Sequence, residues 1–392
     1  MRILFHVYIP YTPRQAGIQQ PIRVCYYLAK RGLNVSLHIC SWSISNRTQL
    51  LDFFGFEDLD NFEIHCYKNP FKIHQSPILL SVWGAVFYLR RFFSLLLTSE
   101  KKKYDVFFAR GYRFPALHIF FKSFLKYKIV FEIHQVLYLD NTPEDKINDV
   151  TKRIDYERFS YRNADGVIAI SESLKSFVED RWGRVSRVTV IPSGGILFRS
   201  KPLPQVSVLK DIYYVGNYYP LSGLDYLVKA LDQIPEAQLT IVGGGGPGDP
   251  DYERIDDLVG QLNLKERVTQ MGFVKPTELP EIYARAHILA MPYATSIRTR
   301  YFMSPLKLFE YMSARRPIVA SDLPPIREIL RNGENAILTR VGDPDSIAEA
   351  LRTIMGNPEL GLRLAGRAYQ DVQQYSMDKK CIAIEKFLHE II

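Results

Sequence analysis

Apolar runs of about four to six residues recur along the whole chain, and amphipathic stretches with apolar positions every three to four residues lie between them. Blocks of that length read as strands buried on both faces, and the stretches between them as helices that cover a sheet. In the first half the pattern predicts strands at residues 3–8, 35–40, 62–66, 106–109, 129–133, 167–170 and 188–191. Helices are predicted at 21–31, 145–162 and 173–182, with Ser171 as an N-cap before an acidic first turn. In the second half strands are predicted at 212–215, 239–242, 268–271, 288–291 and 317–320. Helices are predicted there at 223–231, 252–262, 278–284, 343–356 and 358–374. A last helix, 378–389, follows a break at Tyr375-Ser376. The segment 198–210 holds two prolines and little periodicity, so it reads as a linker. The alternation therefore predicts an α/β protein of two domains, residues 1–200 and 201–375, with a separate closing helix at 376–392.

Composition narrows this picture only slightly. The chain has 392 residues, 47% hydrophobic and 23% charged, which is ordinary for a globular protein too long for one core. The four cysteines are far apart and lack metal-ligand spacing, so they read as structural thiols of a reduced, cytoplasmic protein. The opening MRILFHVYIP reads as a first strand, since its apolar run is short and interrupted by His6.

Charge changes the picture more. Residues 1–200 carry 28 Lys and Arg against 18 Asp and Glu, whereas 201–392 carry 22 against 24. The excess concentrates at 60–130, with 12 against 4. Anionic lipid, a phosphorylated acceptor or nucleic acid would suit such a region. Within it, the hydrophobic stretch 78–98 is split by Arg90 and Arg91 and closed by Lys101, Lys102 and Lys103. A second basic-aromatic run, 120–128, carries Lys122 and Lys126. These stretches are too interrupted to cross a bilayer but suit an interfacial surface. The competing reading is a buried helix whose arginines snorkel. No nucleic-acid reader motif is present.

The richest chemistry lies at 303–328, MSPLKLFEYMSARRPIVASDLPPIRE. A loop at Ser304 and Pro305 runs into a helix bearing Lys307 and Glu310 on one face, three positions apart. A helix N-terminus favours anions, and a carboxylate one turn on can accept from paired hydroxyls. A nucleotide diphosphate with its ribose would use both. Arg298 and Arg300 add cations in the loop just upstream, although a solvated basic loop with a surface ion pair would look the same. The run Gly243-Gly244-Gly245-Gly246-Pro247-Gly248 satisfies G-x-G-x-x-G by spacing. Pro247 and Asp249-Pro250 are expected to disrupt the helix start that a dinucleotide site needs, so it reads as a flexible turn. No acidic D-x-D triplet is poised in a loop after a strand, and no metal or other cofactor is expected.

Several segments in order resemble family 4 glycosyltransferases of the GT-B architecture. They are Phe131-Glu132-Ile133-His134, Ala164 through Ser171, Val190-Ile191-Pro192-Ser193-Gly194-Gly195 and Tyr214-Val215-Gly216. Leu239 through Gly245, Val268 through Val274, Ser304 through Tyr311 and Pro317 through Asp322 complete the series. The resemblance implies two Rossmann-like domains, the first holding the acceptor and the second a nucleotide sugar, with the closing helix returning to the first. It implies transfer with retention, without a metal, to a glycan or lipid-linked acceptor in cell-surface polysaccharide or glycolipid synthesis. It places Glu310 on the ribose and Lys307, with the backbone N–H groups of Ser304 and Leu306 on either side of Pro305, on the diphosphate. His134 and the small pair Ala16-Gly17, in the loop after the first strand, would hold the sugar. Gly216 would lie beside the donor, and Phe273-Val274 would offer backbone contacts to the base. Two features depart from the family pattern. Phe302 stands where a first glutamate is usual, and Asn217 and Ser222 stand where an arginine and a lysine stabilise the leaving diphosphate. Lys307, Arg298 or Arg300 would then supply the charge. A non-catalytic binding protein or a nucleotide-sugar epimerase of the same architecture are the alternatives. The basic first half adds an anionic membrane surface as an expected partner, at the cytosolic face.

Overall fold

The computed structural model describes residues 1–9, 16–41, 46–68, 77–98, 102–110, 113–134, 136, 147–185, 187–198 and 209–392. The chain begins β1 (Arg2–Ile9), α1 (Ala16–Lys30), β2 (Asn34–Ser41), α2 (Arg47–Phe54), β3 (Phe62–Lys68), α3 (Pro77–Leu97) and β4 (Val106–Arg110). It continues with α4 (Arg113–Phe120), α5 (Lys122–Leu125), β5 (Lys128–Ile133), α6 (Ile147–Asn163), β6 (Gly166–Ala169), α7 (Glu172–Trp182) and β7 (Val188–Val190). These strands form one parallel sheet in the order β3-β2-β1-β4-β5-β6-β7.

A second set follows: β8 (Asp211–Val215), α8 (Leu224–Asp232), β9 (Gln238–Val242), α9 (Pro250–Gln261), β10 (Val268–Gly272), α10 (Leu279–Arg285), β11 (Ile288–Met291), α11 (Ile297–Tyr301) and α12 (Leu306–Ser313). Then come β12 (Ile318–Ser321), α13 (Pro324–Arg327), β13 (Ile337–Thr339), α14 (Pro344–Met355), α15 (Pro358–Asp371) and α16 (Met377–Ile391). Its sheet is parallel, in the order β10-β9-β8-β11-β12-β13. In each sheet the strand order reverses once, between β1 and β4 and between β8 and β11. Open α/β sheets take ligands outside the carboxyl ends of the strands at such a point.

Two compact units result, Met1–Pro192 with Met377–Ile392, and Ser193–Ser376. The last helix joins unit 1 because Met377, Cys381, Ile384, Leu388 and Ile391 pack into one core with Ile22, Cys25 and Leu28 of α1. The expected linker, 198–210, falls mostly outside the described residues.

Some sequence expectations change. Ala16 and Gly17 are not in a loop but open α1, and Pro21 sits inside that helix rather than starting it. Asp249-Pro250 starts a helix instead of disrupting one. The Asp249 carboxylate accepts from the N–H groups of Asp251 and Tyr252, and Pro250 takes the first helical position, where no N–H is needed. That cap also fills the α9 N-terminus with a negative charge, which disfavours a phosphate there.

Candidate functional site

The switch point of the second sheet gathers the residues singled out at 303–310. Helix α12 has Pro305 as its N-cap, and no side chain caps it. Its entry is pinned from behind: the Ser304 hydroxyl accepts from the Ser193 N–H at 2.9 Å, and a Cβ on Gly195 would lie 2.7 Å from that of Phe309. The Ser193-Gly194-Gly195 stretch is thus fitted to this helix.

Lys307, in the first turn, carries its ammonium back to the end of β8. Nζ lies 4.2 Å from the ring centre of Tyr214 and 4.8 Å from that of Tyr293, which follows β11. A Cβ on Gly216 would come within 3.3 Å of it. The ammonium is held by π faces. Burial pushes it down to about 7, with Glu310 opposing. Tyr214 donates to the Asn217 carbonyl at 2.7 Å and Tyr311 accepts from the Val215 N–H at 2.8 Å, so the box is itself braced. Lys307 therefore reaches the Gly216-Asn217 turn, where the resemblance leads one to expect an arginine that this chain lacks.

Glu310, one turn on, is buried, and its Oε2 accepts from the Tyr283 hydroxyl at 3.0 Å. Arg298 and Arg300 are exposed, and they lie on the short helix α11 rather than in a loop. Arg298 acts on the phenols of Tyr219 and Tyr293, so it neighbours the Lys307 box. No such contact ties Arg300 to it. Asn217 is exposed, whereas Ser222 is fully buried and its hydroxyl faces Tyr214. Phe302 is buried, which suits a core residue and not a sugar contact. Gly243 closes the site from β9, since a Cβ there would meet the Gly216 carbonyl oxygen at 2.3 Å. Phe273 and Val274 follow Gly272, whose carbonyl accepts from the Gly243 N–H at 2.7 Å.

In unit 1, His134 lies just past β5 with both ring nitrogens engaged. Arg110 donates to Nδ1 at 2.7 Å, so Nε2 carries the hydrogen and donates to Glu132. Burial, helped by Arg110, holds His134 down to about 4. A neutral ring with neither nitrogen free is a fixed element, not a proton relay. Ala16 and Gly17 lie at the start of α1.

The basic surface divides. Arg90, Lys102, Lys103, Lys122 and Lys126 are exposed, and Lys122 pairs with Asp165 at 2.9 Å. Arg91 is not part of that surface: it is buried, with its guanidinium 5.9 Å from the Tyr67 ring. Lys101 lies outside the described residues. Among the described residues no helix is long and apolar enough to cross a membrane.

Known proteins place this arrangement. Residues 22–194 match Glycosyltransferase Family 4 and residues 209–357 match Glycosyl transferases group 1. The chain belongs to the family 4 glycosyltransferases. It is 25% identical over 258 residues to the alpha-D-kanosaminyltransferase of Streptomyces kanamyceticus, a match covering 61% of this chain and 64% of that protein. It is 29% identical over 219 residues to the phosphatidyl-myo-inositol mannosyltransferase of Mycobacterium leprae, covering 54% and 55%. Its fold is that of sucrose-phosphate synthase from Thermosynechococcus elongatus, with a TM-score of 0.79, 18% identity and coverage of 99% and 98%. It is likewise that of Anabaena Alr3699/HepE, solved with UDP and glucose, with a TM-score of 0.71, 18% identity and 99% of both chains covered. These likenesses define the GT-B fold class.

Proposed function

We propose that this protein transfers a sugar, with retention and without a metal, from a nucleotide diphosphate sugar to a glycan or lipid-linked acceptor in cell-surface polysaccharide or glycolipid synthesis. The observation that carries this reading is the Lys307 ammonium, set between two tyrosine rings at the sheet's switch point beside an α12 N-terminus that no side chain caps. The cation and the helix amides take the diphosphate, and Arg298 adds charge. Glu310 takes the ribose hydroxyls. Gly216, Asn217, Phe273 and Val274 shape the donor pocket. The Anabaena protein solved with UDP-glucose supports a nucleotide donor. The experiment is a thermal-shift panel of nucleotide diphosphate sugars, followed by turnover with the best binder. A ligand at a hundredfold over its Kd raises stability by about 2.7 kcal/mol. No shift with any member ends the donor reading. Conversion of the donor without acceptor would indicate an epimerase instead.

The acceptor reading includes a membrane surface. Helix α3 exposes Val82, Val86, Leu89, Phe93 and Leu97, spaced three to four apart on one face, with Arg90 beside them. Phe120 and Phe124 are exposed among Lys122 and Lys126. Apolar and basic side chains in this pattern suit an anionic interface on which the protein lies peripherally. In flotation assays the protein should rise with anionic vesicles, and salt should weaken the association. Phe93→Asp with Arg90→Glu should abolish it. Equal recovery from neutral vesicles at all salt concentrations would remove the electrostatic part.

A further inference from the structure

The switch point of the first sheet holds a charge left over by the donor reading. Arg110 ends β4, beside β1 and β5. Its guanidinium donates to Gln20 Oε1 of α1 at 2.6 Å and to His134 Nδ1 at 2.7 Å, both neutral groups. Among the described residues no carboxylate forms an ion pair with it. Glu132, the nearest acid, is already committed: it accepts from His134 and pairs with Lys380 of α16 at 3.2 Å, with both side chains almost wholly buried. Lys380 also donates to the Pro192 carbonyl at 3.3 Å. One arginine and one lysine thus face one carboxylate and one neutral imidazole, and the group is left with a net positive charge. Gln20 adds a second unmet demand, because it is 1% exposed and its Nε2 donor has no partner. A buried donor without an acceptor costs about 1–3 kcal/mol. Arg110 and His134 are only half-buried, so the excess charge is reachable from outside. The fold thus fixes a planar cation at the carboxyl end of a strand, braced on two sides and, among the described residues, without a carboxylate in ion-pair contact.

We propose that Arg110, with Gln20, binds an anionic group on the acceptor, a phosphate or a carboxylate, and that Lys380, Glu132 and His134 are positioning residues that hold the guanidinium for it. The proposal rests on the reading of unit 1 as the acceptor half. A guanidinium fork matches the two oxygens of either anion, and a braced one loses little freedom on binding. Glu132 keeps His134 in the tautomer whose Nδ1 can accept from Arg110. Lys380 keeps Glu132 charged in the interior, where burial alone would favour its protonation.

The test is calorimetric titration of the full chain with inorganic phosphate and, separately, with glucuronate. It is done in the Lys307→Met background so that the donor site does not contribute. The parent is expected to bind one of the two anions, which tells phosphate from carboxylate. Arg110→Met is expected to weaken that binding about tenfold or more, the loss of one charge-assisted contact. Gln20→Leu should weaken it less, and Arg110→Lys should restore part of it. Lys380→Met should weaken the binding and shift the His134 ring nitrogen resonances, a readout that a merely structural role would not move. The proposal is overturned if neither anion binds the parent, or if Arg110→Met leaves the isotherm unchanged. Should Arg110→Met not fold by circular dichroism, Gln20→Leu decides: an unchanged isotherm overturns the proposal. Nucleotide-sugar affinity measured with Lys307 intact separates this claim from the donor reading. Arg110→Met should leave it unchanged, and its loss there would assign the anion to the donor and overturn the proposal. Failure of wild type to bind any nucleotide sugar sinks the donor reading, whatever Arg110 does.

Discussion

Replacing Lys307 by Met is expected to lower turnover by about 10²–10³-fold, the loss seen when one preorganised donor to a developing charge is removed. The side chain stays long and apolar enough to fill the space between Tyr214 and Tyr293, so the fold should survive. Wild type should also show a pH signature that the variant lacks. The free ammonium titrates at about 7, and a bound diphosphate must raise that value. Affinity is therefore full below pH 7 and falls as pH rises above it, by up to about tenfold per pH unit, until the bound form itself titrates. A diphosphate diester such as UDP-glucose does not ionise in this range, so its Kd at pH 6.5, 7.5 and 8.5 reads the lysine alone. A flat profile together with undiminished turnover in Lys307→Met would remove this residue from the mechanism.

Acid should unfold the protein early, starting in unit 1. His6, His38 and His118 are all buried, on β1, β2 and α4, with Arg91 of α3 among them. His38 meets the Ser36 hydroxyl, the Tyr67 hydroxyl and the His65 ring, and His118 meets the Tyr127 hydroxyl. Both nitrogens of His6 lack a partner. Burial, helped by Arg91, pushes His6 well down and His38 to about 2, and burial alone pushes His118 to about 3. Their values in the folded chain lie below the unfolded value, so the unfolded chain binds more protons as pH falls below about 6.5. Stability is intact above that pH and is lost on acidification. Each histidine removes roughly 1.2 kcal/mol between pH 7 and 5.5, or about 4 for the three. That is a large part of the 5–15 kcal/mol of a typical domain. His134, held down to about 4, adds a fourth such group, so urea midpoints across this range should fall steeply and His6→Phe should reduce the slope by about a quarter. Equal midpoints at pH 7 and 5.5, or an unchanged slope in the variant, would count against it.

The sheets were legible because their inner strands, such as β4, β5, β6, β11 and β12, bury both faces. The run 288–291 coincides with β11, and 106–109 and 239–242 differ from β4 and β9 by one residue. The three-residue, half-buried β13 carries too little apolar signal to be noticed. Helix α1 starts five residues before the proline that served as its start signal, a case in which tertiary packing overrides a local rule. Lys307 and Glu310 were legible from their spacing beside a helix start. Neither the tyrosine box nor the buried pair was legible. Tyr214 and Tyr293 lie far from Lys307 in sequence, and Lys380 is separated from Glu132 by 248 residues. A lysine in a closing helix looks like a solvated residue until the fold supplies its partner.

That separation has a consequence for how the molecule is made. The ribosome delivers α16 only after the whole of unit 2. Until then Glu132 sits on its strand without the lysine that neutralises it, and an interior charge deprived of its mate costs on the order of 3–5 kcal/mol. The half that is synthesised first is therefore the half that is finished last.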